Sequence, residues 1–403
     1  MKTQSTTSAP RLGVAVIGAG MAGSAHAAAW RAATTVRRPF DEAQVELVAI
    51  ADIAEPLAQT AAGRYGFQRT ESDWRSLLDA PDVQVVSVVV ANHLHRQIVE
   101  DLLAAGKHVL CEKPLSDTIE DAQAMAEAAR KSPQVARVGF TYQRAPGLAA
   151  LRELVQDGTL GDVVHLNGRY YSDYACSPQV PMTWRYRGAP GSGALADVGS
   201  HLLAAAELVA GPIRSVSGAR FRTVIGERPL PKGATVGHGL VEVTDETEVV
   251  TNDDWAGLTV EFGQASGTLE ASRVAPGHPN GHRLEITCTK GSAIWDQESP
   301  SEIQLFLHDD QIGAHQNGFR VVKLGPGHPY IADGYPMVAP GIGVGQNDTF
   351  IFQARAFLEE VVGLPEEESW PRCASFDDGL RNMRIIEAAA RSSIAGGAAV
   401  TVD

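Results

Sequence analysis

Two charged residues stand together where a strand is expected to end. Glu112 and Lys113 follow the apolar run "GKHVL" and directly precede Pro114. A solvated Glu-Lys pair is the ordinary explanation of such a dipeptide, but the proline restricts Lys113 to extended geometry and so directs its ammonium group. An ammonium at the carboxyl end of a parallel strand lies where α/β sheets bind ligands, and it could stabilise the alkoxide of an alcohol undergoing oxidation.

A second pair of reactive side chains has helical spacing. Asp197 and His201 stand at positions i and i+4 of "DVGSHLLAAAELVAG", a segment predicted to be a helix that ends at Gly211. Both side chains would then lie on one face, one turn apart. His201 is a candidate general base because the imidazole pKa lies near working pH. Asp197 would bind a substrate hydroxyl or orient the base, although an Asp near a helix N-terminus beside an unrelated His gives the same pattern.

A glycine-rich segment, "GAGMAG", follows a predicted buried strand and opens a predicted helix. That context is the one a G-x-G-x-x-G dinucleotide loop requires, since the pyrophosphate sits on the helix N-terminus. The predicted cofactor-binding residues of this loop are Gly18, Ala19, Gly20, Met21, Ala22 and Gly23.

An acidic residue ends the second predicted strand. Asp52 stands where a carboxylate would hydrogen-bond a ribose 2′-hydroxyl and repel a 2′-phosphate, which favours NAD over NADP. It lies farther from Gly23 than the usual spacing of about 20 residues. The extra residues fall in "TTVRRPFDEAQ", which we interpret as an enlarged helix–strand loop.

The elements around these residues alternate. Strands predicted at 12–17, 45–52, 83–90, 107–113 and 134–143 are separated by helical segments, which is typical of a doubly wound α/β domain. Beyond residue 145 the chain is rich in strand-like segments from 213 to 325 and closes with helices predicted at 348–363 and 376–393. This part is predicted to be α+β with an antiparallel sheet.

Composition limits the possible partners. The net charge of −14 over 403 residues argues against nucleic acid and against an anionic membrane. No apolar run is long enough to span a bilayer, and the N-terminus has no secretory pattern. Four widely spaced cysteines indicate a reducing compartment, so we expect a cytoplasmic protein.

The motifs together resemble those of the glucose–fructose oxidoreductase / inositol dehydrogenase / MocA family (Gfo/Idh/MocA). They occur in the family's order: "GAGMAG", "ANHLH" at 91–95, "CEKPL" with its E-K-P, "TWRYRG" at 183–188 and "GSGALADVGSHLL" at 191–203. The second motif looks like the family's nicotinamide loop, which adds Ala91, Asn92, His95, Glu112 and Lys113 as predicted cofactor contacts. Ala91 and Gln143 depart from the residues that relatives often carry.

The polar N-terminal residues 1–10 are predicted to be a disordered tail. The resemblance implies a Rossmann domain at 11–143. It also implies a substrate-binding α+β domain at 144–403, whose large open, mostly antiparallel sheet would mediate homodimers or homotetramers. The implied activity is oxidation of a sugar or cyclitol hydroxyl by NAD. The predicted catalytic residues are Lys113, Asp197 and His201, and the same three with Tyr142, Arg144, Asp173, Trp184 and Arg185 are the predicted substrate contacts.

Alternatives remain open at this point. The leading expectation is a dehydrogenase for a ring hydroxyl of a pyranose, anhydrosugar or glycoside, with C3 as one candidate carbon. The same fold could serve an inositol dehydrogenase, an NAD-dependent glycoside hydrolase that oxidises transiently, or a non-catalytic dinucleotide sensor. His278 and His282 are further candidates for the sugar pocket. A zinc site from Asp197, His201 and either His93 or His95 is the less favoured alternative, and no metal is expected.

Overall fold

The computed structural model describes residues 9–233, 235, 241–309, 312–313, 316–332, 335, 337, 339 and 341–403. Most of the predicted tail, residues 1–8, lies outside the described residues. Within the described part of the chain, no helix is long and apolar enough to cross a membrane.

The N-terminal half forms a parallel six-stranded sheet in the order β3-β2-β1-β4-β5-β6. Its strands are β1 Arg11–Ile17, β2 Gln44–Ala51, β3 Arg69–Glu71, β4 Val85–Val88, β5 His108–Cys111 and β6 Ala136–Val138. The helices that cover it are α1 Met21–Ala32, α2 Glu55–Tyr65, α3 His95–Ala104 and α4 Ile119–Lys131. The expected doubly wound sheet is thereby confirmed.

Two details of this sheet differ from the sequence-based prediction. Strand β3 was not predicted because its three residues, "RTE", are all polar and give no apolar signal. The strand predicted at 134–143 is too long, since β6 spans three residues and a helical turn, Thr141–Arg144, follows it. That turn brings Tyr142 toward the second half of the chain.

The turn between β1 and α1 depends on a glycine. Gly18 has φ of +101°, and a Cβ added there would lie 2.0 Å from the carbonyl oxygen of Val89. A side chain at this position is therefore excluded twice, by backbone conformation and by the neighbouring strand end.

We predict that Gly18→Ala lowers the free energy of unfolding by about 2–4 kcal/mol and weakens NAD binding more than tenfold, because the loop must shift. Gly63→Ala is the matched control. Gly63 lies within α2 with no atom inside 4 Å of the added Cβ, so this change should stabilise by about 0.5–1 kcal/mol. Denaturant titration and NAD titration of both variants measure the two effects. Unchanged NAD affinity in Gly18→Ala would contradict this account of the loop.

The second half is built on a large mixed sheet. In the described residues it has nine strands in the order β16-β15-β14-β13-β7-β12-β11-β8-β17, all antiparallel except the pair β12 and β7. The strands are β7 Val163–Tyr171, β8 Ser215–Arg222, β11 Trp255–Glu261, β12 Ser266–Ser272, β13 Gly281–Cys288, β14 Gly291–Asp296, β15 Glu302–Leu307, β16 Arg320–Lys323 and β17 Val400–Thr401. A separate two-stranded ribbon joins β9 Glu227–Pro231 to β10 Val243–Val249.

Helices pack on one face of this sheet and against the first domain. The described helices are α5 Pro146–Gln156, α6 Ser200–Ala210, α7 Pro329–Ala332, α8 Gln346–Val361 and α9 Phe376–Ile394. Because α5, α6 and α9 contact both the strands and one another, they share a face. Helix α8 packs on α1 instead, where the rings of Trp30 and Phe357 meet edge to face at 5.9 Å.

The apolar core crosses the boundary between the two halves. Val86 and Val109 of the parallel sheet belong to the same buried cluster as Leu166 and Leu284 of the mixed sheet. The two sheets are thus held by continuous packing, and the carboxyl ends of β1, β4 and β5 face residues of the second domain.

Candidate active site

A cavity of about 1510 Å³ lies between the two domains. The glycine loop and Asp52 line one part of it, and Lys113, Asp197 and His201 line another. Pockets for a single drug-sized ligand usually measure about 300–1,000 Å³. The cavity is therefore large enough for an extended cofactor with a small substrate beside it.

The glycine-loop end has the chemistry expected of a pyrophosphate site. Helix α1 begins at Met21, and Gly20 at its N-cap supplies no side-chain cap, so the first amides of the helix remain available to an anion. Gly18, Gly20, Met21, Ala22 and Gly23 line the cavity, whereas Ala19 does not. The residues present fit NAD, which these amides and Asp52 would hold.

Asp52 has a second role that the sequence did not reveal. Its Oδ2 accepts a hydrogen bond from the Ala19 amide at 2.7 Å, and its Oδ1 accepts one from the Ala54 amide at 2.8 Å. The carboxylate thus fixes the glycine loop through the Ala19 amide and still borders the cavity. It remains placed to accept a hydrogen bond from a ribose hydroxyl.

We predict that Asp52→Ala raises the KM for NAD about tenfold and brings the NADP to NAD selectivity close to one, because a charge that repels a 2′-phosphate is gone. Asp52→Asn removes the charge with less disturbance of the loop, since it keeps one of the two acceptor oxygens that bind the Ala19 and Ala54 amides. Initial rates with both cofactors measure the effect. A wild-type preference for NADP would contradict the role given to Asp52.

Lys113 joins the two domains at the substrate end. Its Nζ donates to the carbonyl oxygen of Asp197 at 2.7 Å and lies 3.2 Å from Asp197 Oδ1. The other carboxylate oxygen, Oδ2, accepts a hydrogen bond from the Tyr174 hydroxyl at 2.6 Å. Tyr174 lines the cavity and was not predicted. Burial, followed by the Asp197 charge, raises the pKa of Tyr174 well above its usual value, so it remains a donor.

The helix predicted to begin at Asp197 begins later. Leu195–Gly199 form a π-helical turn, and α6 starts at Ser200. Asp197 and His201 therefore do not share a regular α-helical face, although both still line the cavity. Single π-turns of this kind are frequent at functional sites.

A buried carboxylate outside the predicted motifs fixes the start of that turn. Asp253 accepts backbone hydrogen bonds from Gly191 at 2.7 Å, Gly193 at 3.0 Å and Leu195 at 2.9 Å. A Cβ at Gly193 would lie 2.1 Å from the Asp253 carbonyl oxygen, which explains a glycine of "GSGAL". Asp253 thus positions the segment that carries Asp197.

His201 is buried among aromatic rings. Its ring lies edge to face with that of Tyr142 at 4.7 Å and that of Phe140 at 6.4 Å. Burial, then the nearby Lys113 charge and His282, lower the pKa of His201 well below 6.5. The expectation of a pKa near working pH is corrected by this environment. At neutral pH the imidazole is uncharged and able to accept a proton.

Two residues of the predicted cofactor set behave differently from expectation. Ala91 and Asn92 line the cavity, but His95 is fully buried, and its ring nitrogens lie 3.1 Å from the carbonyl oxygens of Leu115 and Val90. It connects strand ends rather than touching a ligand. Glu112 lines the cavity, yet its side chain meets His26 and the Lys113 amide rather than the Lys113 ammonium.

The structure brings together only part of the predicted substrate set. Tyr142, Trp184 and Arg185 line the cavity, whereas Asp173 and Arg144 do not. Arg144 is buried and donates to the carbonyl oxygen of Pro371 at 2.6 Å and to Cys373 Sγ at 3.2 Å. Its charge is used in packing, because residues 371–373, distant in sequence, enclose it.

The loop before β13 contributes a residue other than the expected histidines. Asn280 lines the cavity and accepts a hydrogen bond from the Tyr170 hydroxyl at 2.6 Å. His282 is instead stacked on Tyr170 at 4.8 Å, and burial lowers its pKa to about 3. His278 also lies outside the lining, where its ring meets Tyr171 edge to face. The alternating "YYSDY" was the available signal for Tyr170 and Tyr174.

The metal alternative gains no support from the geometry. Among the residues that the structure describes, no three His, Cys, Asp or Glu side chains are grouped as metal ligands. His95 faces backbone oxygens, as noted above, and Asp197 is engaged by Lys113 and Tyr174.

Two family models match the chain. The family model "Oxidoreductase family, NAD-binding Rossmann fold" of Gfo/Idh/MocA matches residues 12–140. The C-terminal domain model of the same family matches residues 148–294. The chain belongs to the Gfo/Idh/MocA family. It is an NAD-dependent oxidoreductase, as the motifs predicted.

Individual relatives make the likeness more specific. Levoglucosan dehydrogenase of Pseudarthrobacter phenanthrenivorans is 36% identical over 389 residues, which cover 95% of this chain and 97% of that protein. A solved levoglucosan dehydrogenase in complex with NADH and levoglucosan superimposes with a TM-score of 0.86 at 34% identity, covering 97% of this chain and 99% of that one. D-glucoside 3-dehydrogenase of Escherichia coli is 33% identical over 227 residues, 56% of this chain and 61% of that protein.

Proposed function

We propose that this oxidoreductase oxidises a ring hydroxyl of a pyranose sugar, with an anhydrosugar of the levoglucosan type as the leading substrate and C3 as the leading carbon. The observation that carries the proposal is the meeting of Lys113, Asp197, Tyr174 and His201 in one cavity with the glycine loop. The likeness to levoglucosan dehydrogenase over nearly the whole chain supports the anhydrosugar, and the likeness to D-glucoside 3-dehydrogenase supports C3.

The residues of the cavity supply what the oxidation of a secondary alcohol needs. NAD, held by the glycine-loop amides and Asp52, would supply the hydride acceptor when bound. The Lys113 ammonium stabilises the negative charge that develops on the substrate oxygen, and Asp197 holds that ammonium in place. The uncharged imidazole of His201 accepts the hydroxyl proton. Tyr174 keeps Asp197 oriented through its hydrogen bond to Oδ2.

The remaining cavity wall suits a polyhydroxylated ring. Tyr142, Tyr170, Asn280 and Gln346 form one hydrogen-bonded group, in which the Asn280 amide donates to Gln346 Oε1 at 2.7 Å. Trp184, with 40% of its surface exposed, is stacked by Arg185 at 4.4 Å and presents an aromatic surface. Polar groups converging beside an aromatic ring are typical of sugar sites.

The test is absorbance at the NADH band with purified protein, NAD and a panel of levoglucosan, D-glucosides, glucose and myo-inositol. We expect NADH formation with levoglucosan or a glucoside and a weaker signal with the cyclitol. Sugar released from a glycoside without net NADH would identify the glycoside hydrolase alternative. Protein that binds NAD but is silent with every sugar, by both assays, would overturn the proposal.

We further propose a homodimer or homotetramer in the cytoplasm, assembled through the sheet face opposite α5, α6 and α9. That face carries Val321 of β16 at 56% exposure, whereas its neighbour Val322 packs toward the core. The four cysteines are free thiols, which suits a reducing compartment. Light scattering of wild-type protein and of Val321→Glu would measure the assembly, and a monomer in the wild type would exclude it.

A further inference from the structure

A chain of buried polar side chains lies beneath the cofactor part of the cavity. Trp30 Nε1 donates to Ser87 Oγ at 2.8 Å, and Ser87 Oγ lies 3.1 Å from His26 Nδ1. His26 Nε2 lies 3.0 Å from Glu112 Oε1. None of Trp30, Ser87 and His26 is more than 2% exposed, and Glu112 is 9% exposed. The chain therefore leads from helix α1 through β4 to the end of β5.

Donor and acceptor accounting fixes the tautomer of His26. The indole of Trp30 can only donate, so Ser87 Oγ is its acceptor. The Ser87 hydroxyl proton must then go to His26 Nδ1, because no other acceptor for it is found among the described residues. His26 is thereby uncharged with its proton on Nε2, and it donates to Glu112. Any other arrangement leaves a buried donor without a partner, which is costly.

Both side-chain oxygens of Glu112 accept hydrogen bonds in this arrangement. Its Oε1 accepts from His26, and its Oε2 accepts from the Lys113 amide at 3.2 Å. A Cβ at Gly139 would lie 2.4 Å from Oε1, so the glycine there preserves the space that the carboxylate occupies. Neither partner of Glu112 carries a positive charge, and the adjacent Lys113 ammonium is paired with Asp197.

The position of this charge gives it a function. Glu112 lines the cavity directly beside Lys113. With substrate held at Lys113, its reacting carbon and the nicotinamide that receives the hydride both lie at this end of the cavity. The nicotinamide ring is positively charged in NAD and uncharged in NADH. A fixed negative charge nearby stabilises the first more than the second, most strongly where water is excluded.

We propose that the Glu112 carboxylate, held in position by Trp30, Ser87 and His26, tunes the bound cofactor toward its oxidised form. The placement of the nicotinamide rests on the proposed function, in which substrate is held at Lys113. The consequence is that NAD binds more tightly, relative to NADH, than it would without this carboxylate. Product cofactor then leaves more readily, which favours turnover in the oxidative direction.

The test is a pair of dissociation constants, for NAD and for NADH, measured by calorimetry on wild type and Glu112→Gln without sugar. We expect the ratio of the NAD to the NADH constant to rise about tenfold in Glu112→Gln. Asp52→Asn is the matched control, since it removes a charge bordering the adenosine end, which both cofactor forms share. It should change both constants alike and leave the ratio unmoved.

Variants of His26 test the contribution of the buried polar chain that ends at Glu112. His26→Leu removes the donor to Glu112 and should move the ratio in the same direction as Glu112→Gln. His26→Gln retains a donor, so its ratio should lie close to that of the wild type. Because no sugar is present, failure of the sugar assay does not affect this measurement. A Glu112→Gln ratio within twofold of wild type, or an equal weakening of both cofactors, would overturn the proposal and leave Glu112 a structural residue.

Discussion

Replacing Lys113 with methionine should lower kcat by about three orders of magnitude while NAD still binds. The ammonium is the positive group placed to stabilise charge on the substrate oxygen, and removal of one such donor typically costs 10²–10³ in rate. Its two contacts to Asp197 also end in this variant. Asp197 then loses its cation, so its own orientation weakens and the loss should reach the upper part of that range. Steady-state rates and NAD titration measure the two quantities.

Two controls separate chemistry from packing. Lys131→Met removes an exposed lysine of α4, whose partner among the described residues is Glu127 one turn away, and should leave kcat unchanged. Lys113→Arg retains charge but not the compact ammonium geometry, so an intermediate rate is expected. A Lys113→Met enzyme with kcat within threefold of wild type would remove this residue from the mechanism.

His201→Asn should lower kcat by about 10³-fold, again with NAD binding preserved. General base catalysis contributes roughly 10²–10⁴-fold, and no other imidazole lines the cavity among the residues that the structure describes. His278→Asn is the matched control, because His278 lies on a neighbouring loop outside the lining. Near-wild-type turnover in His201→Asn would show that another group accepts the proton.

The pH profile gives this role a second readout. The pKa of His201 is lowered well below 6.5, mainly by burial, and the base works only when unprotonated. The working form is therefore present above that lowered pKa and is lost as pH falls through it. We expect kcat/KM for the sugar to stay level from pH 8 to pH 6.5 and to decline only at lower pH. An acid limb centred at or above pH 6.5 would contradict the environment described for His201.

The parts of the site that sequence patterns predicted are those set by neighbours along the chain. The glycine loop, Asp52 at a strand end and Lys113 before a proline each follow from local backbone rules, and all lie on the cavity. His95 was expected at the cofactor because "ANHLH" resembles the family's nicotinamide loop, and Arg144 was expected at the substrate on residue type. Both are nevertheless enclosed by segments distant in sequence. Whether such a side chain is buried or exposed depends on packing between elements, which a local sequence pattern does not show.

The residues that were not predicted also depend on contacts between segments distant in sequence. Asp253 reaches the "GSGAL" segment from the loop before β11, and Asn280 reaches the cavity from the loop before β13. The spacing of Asp197 and His201 was interpreted with an α-helical period, but the chain makes a π-turn there, held by Asp253. The hydrophobic period of one segment does not indicate that a carboxylate from a distant loop, here Asp253, will hold it.

The shared apolar core has a consequence for folding. Because Val86 and Val109 belong to the same buried cluster as Leu166 and Leu284, neither half can open without exposing the core of the other. We expect the described parts of both halves to unfold in one cooperative transition rather than two. NAD, although held mainly by the first half, should then raise the melting temperature of the second as well. Bound cofactor would in this way slow heat inactivation and proteolysis of the whole chain, in addition to its part in catalysis.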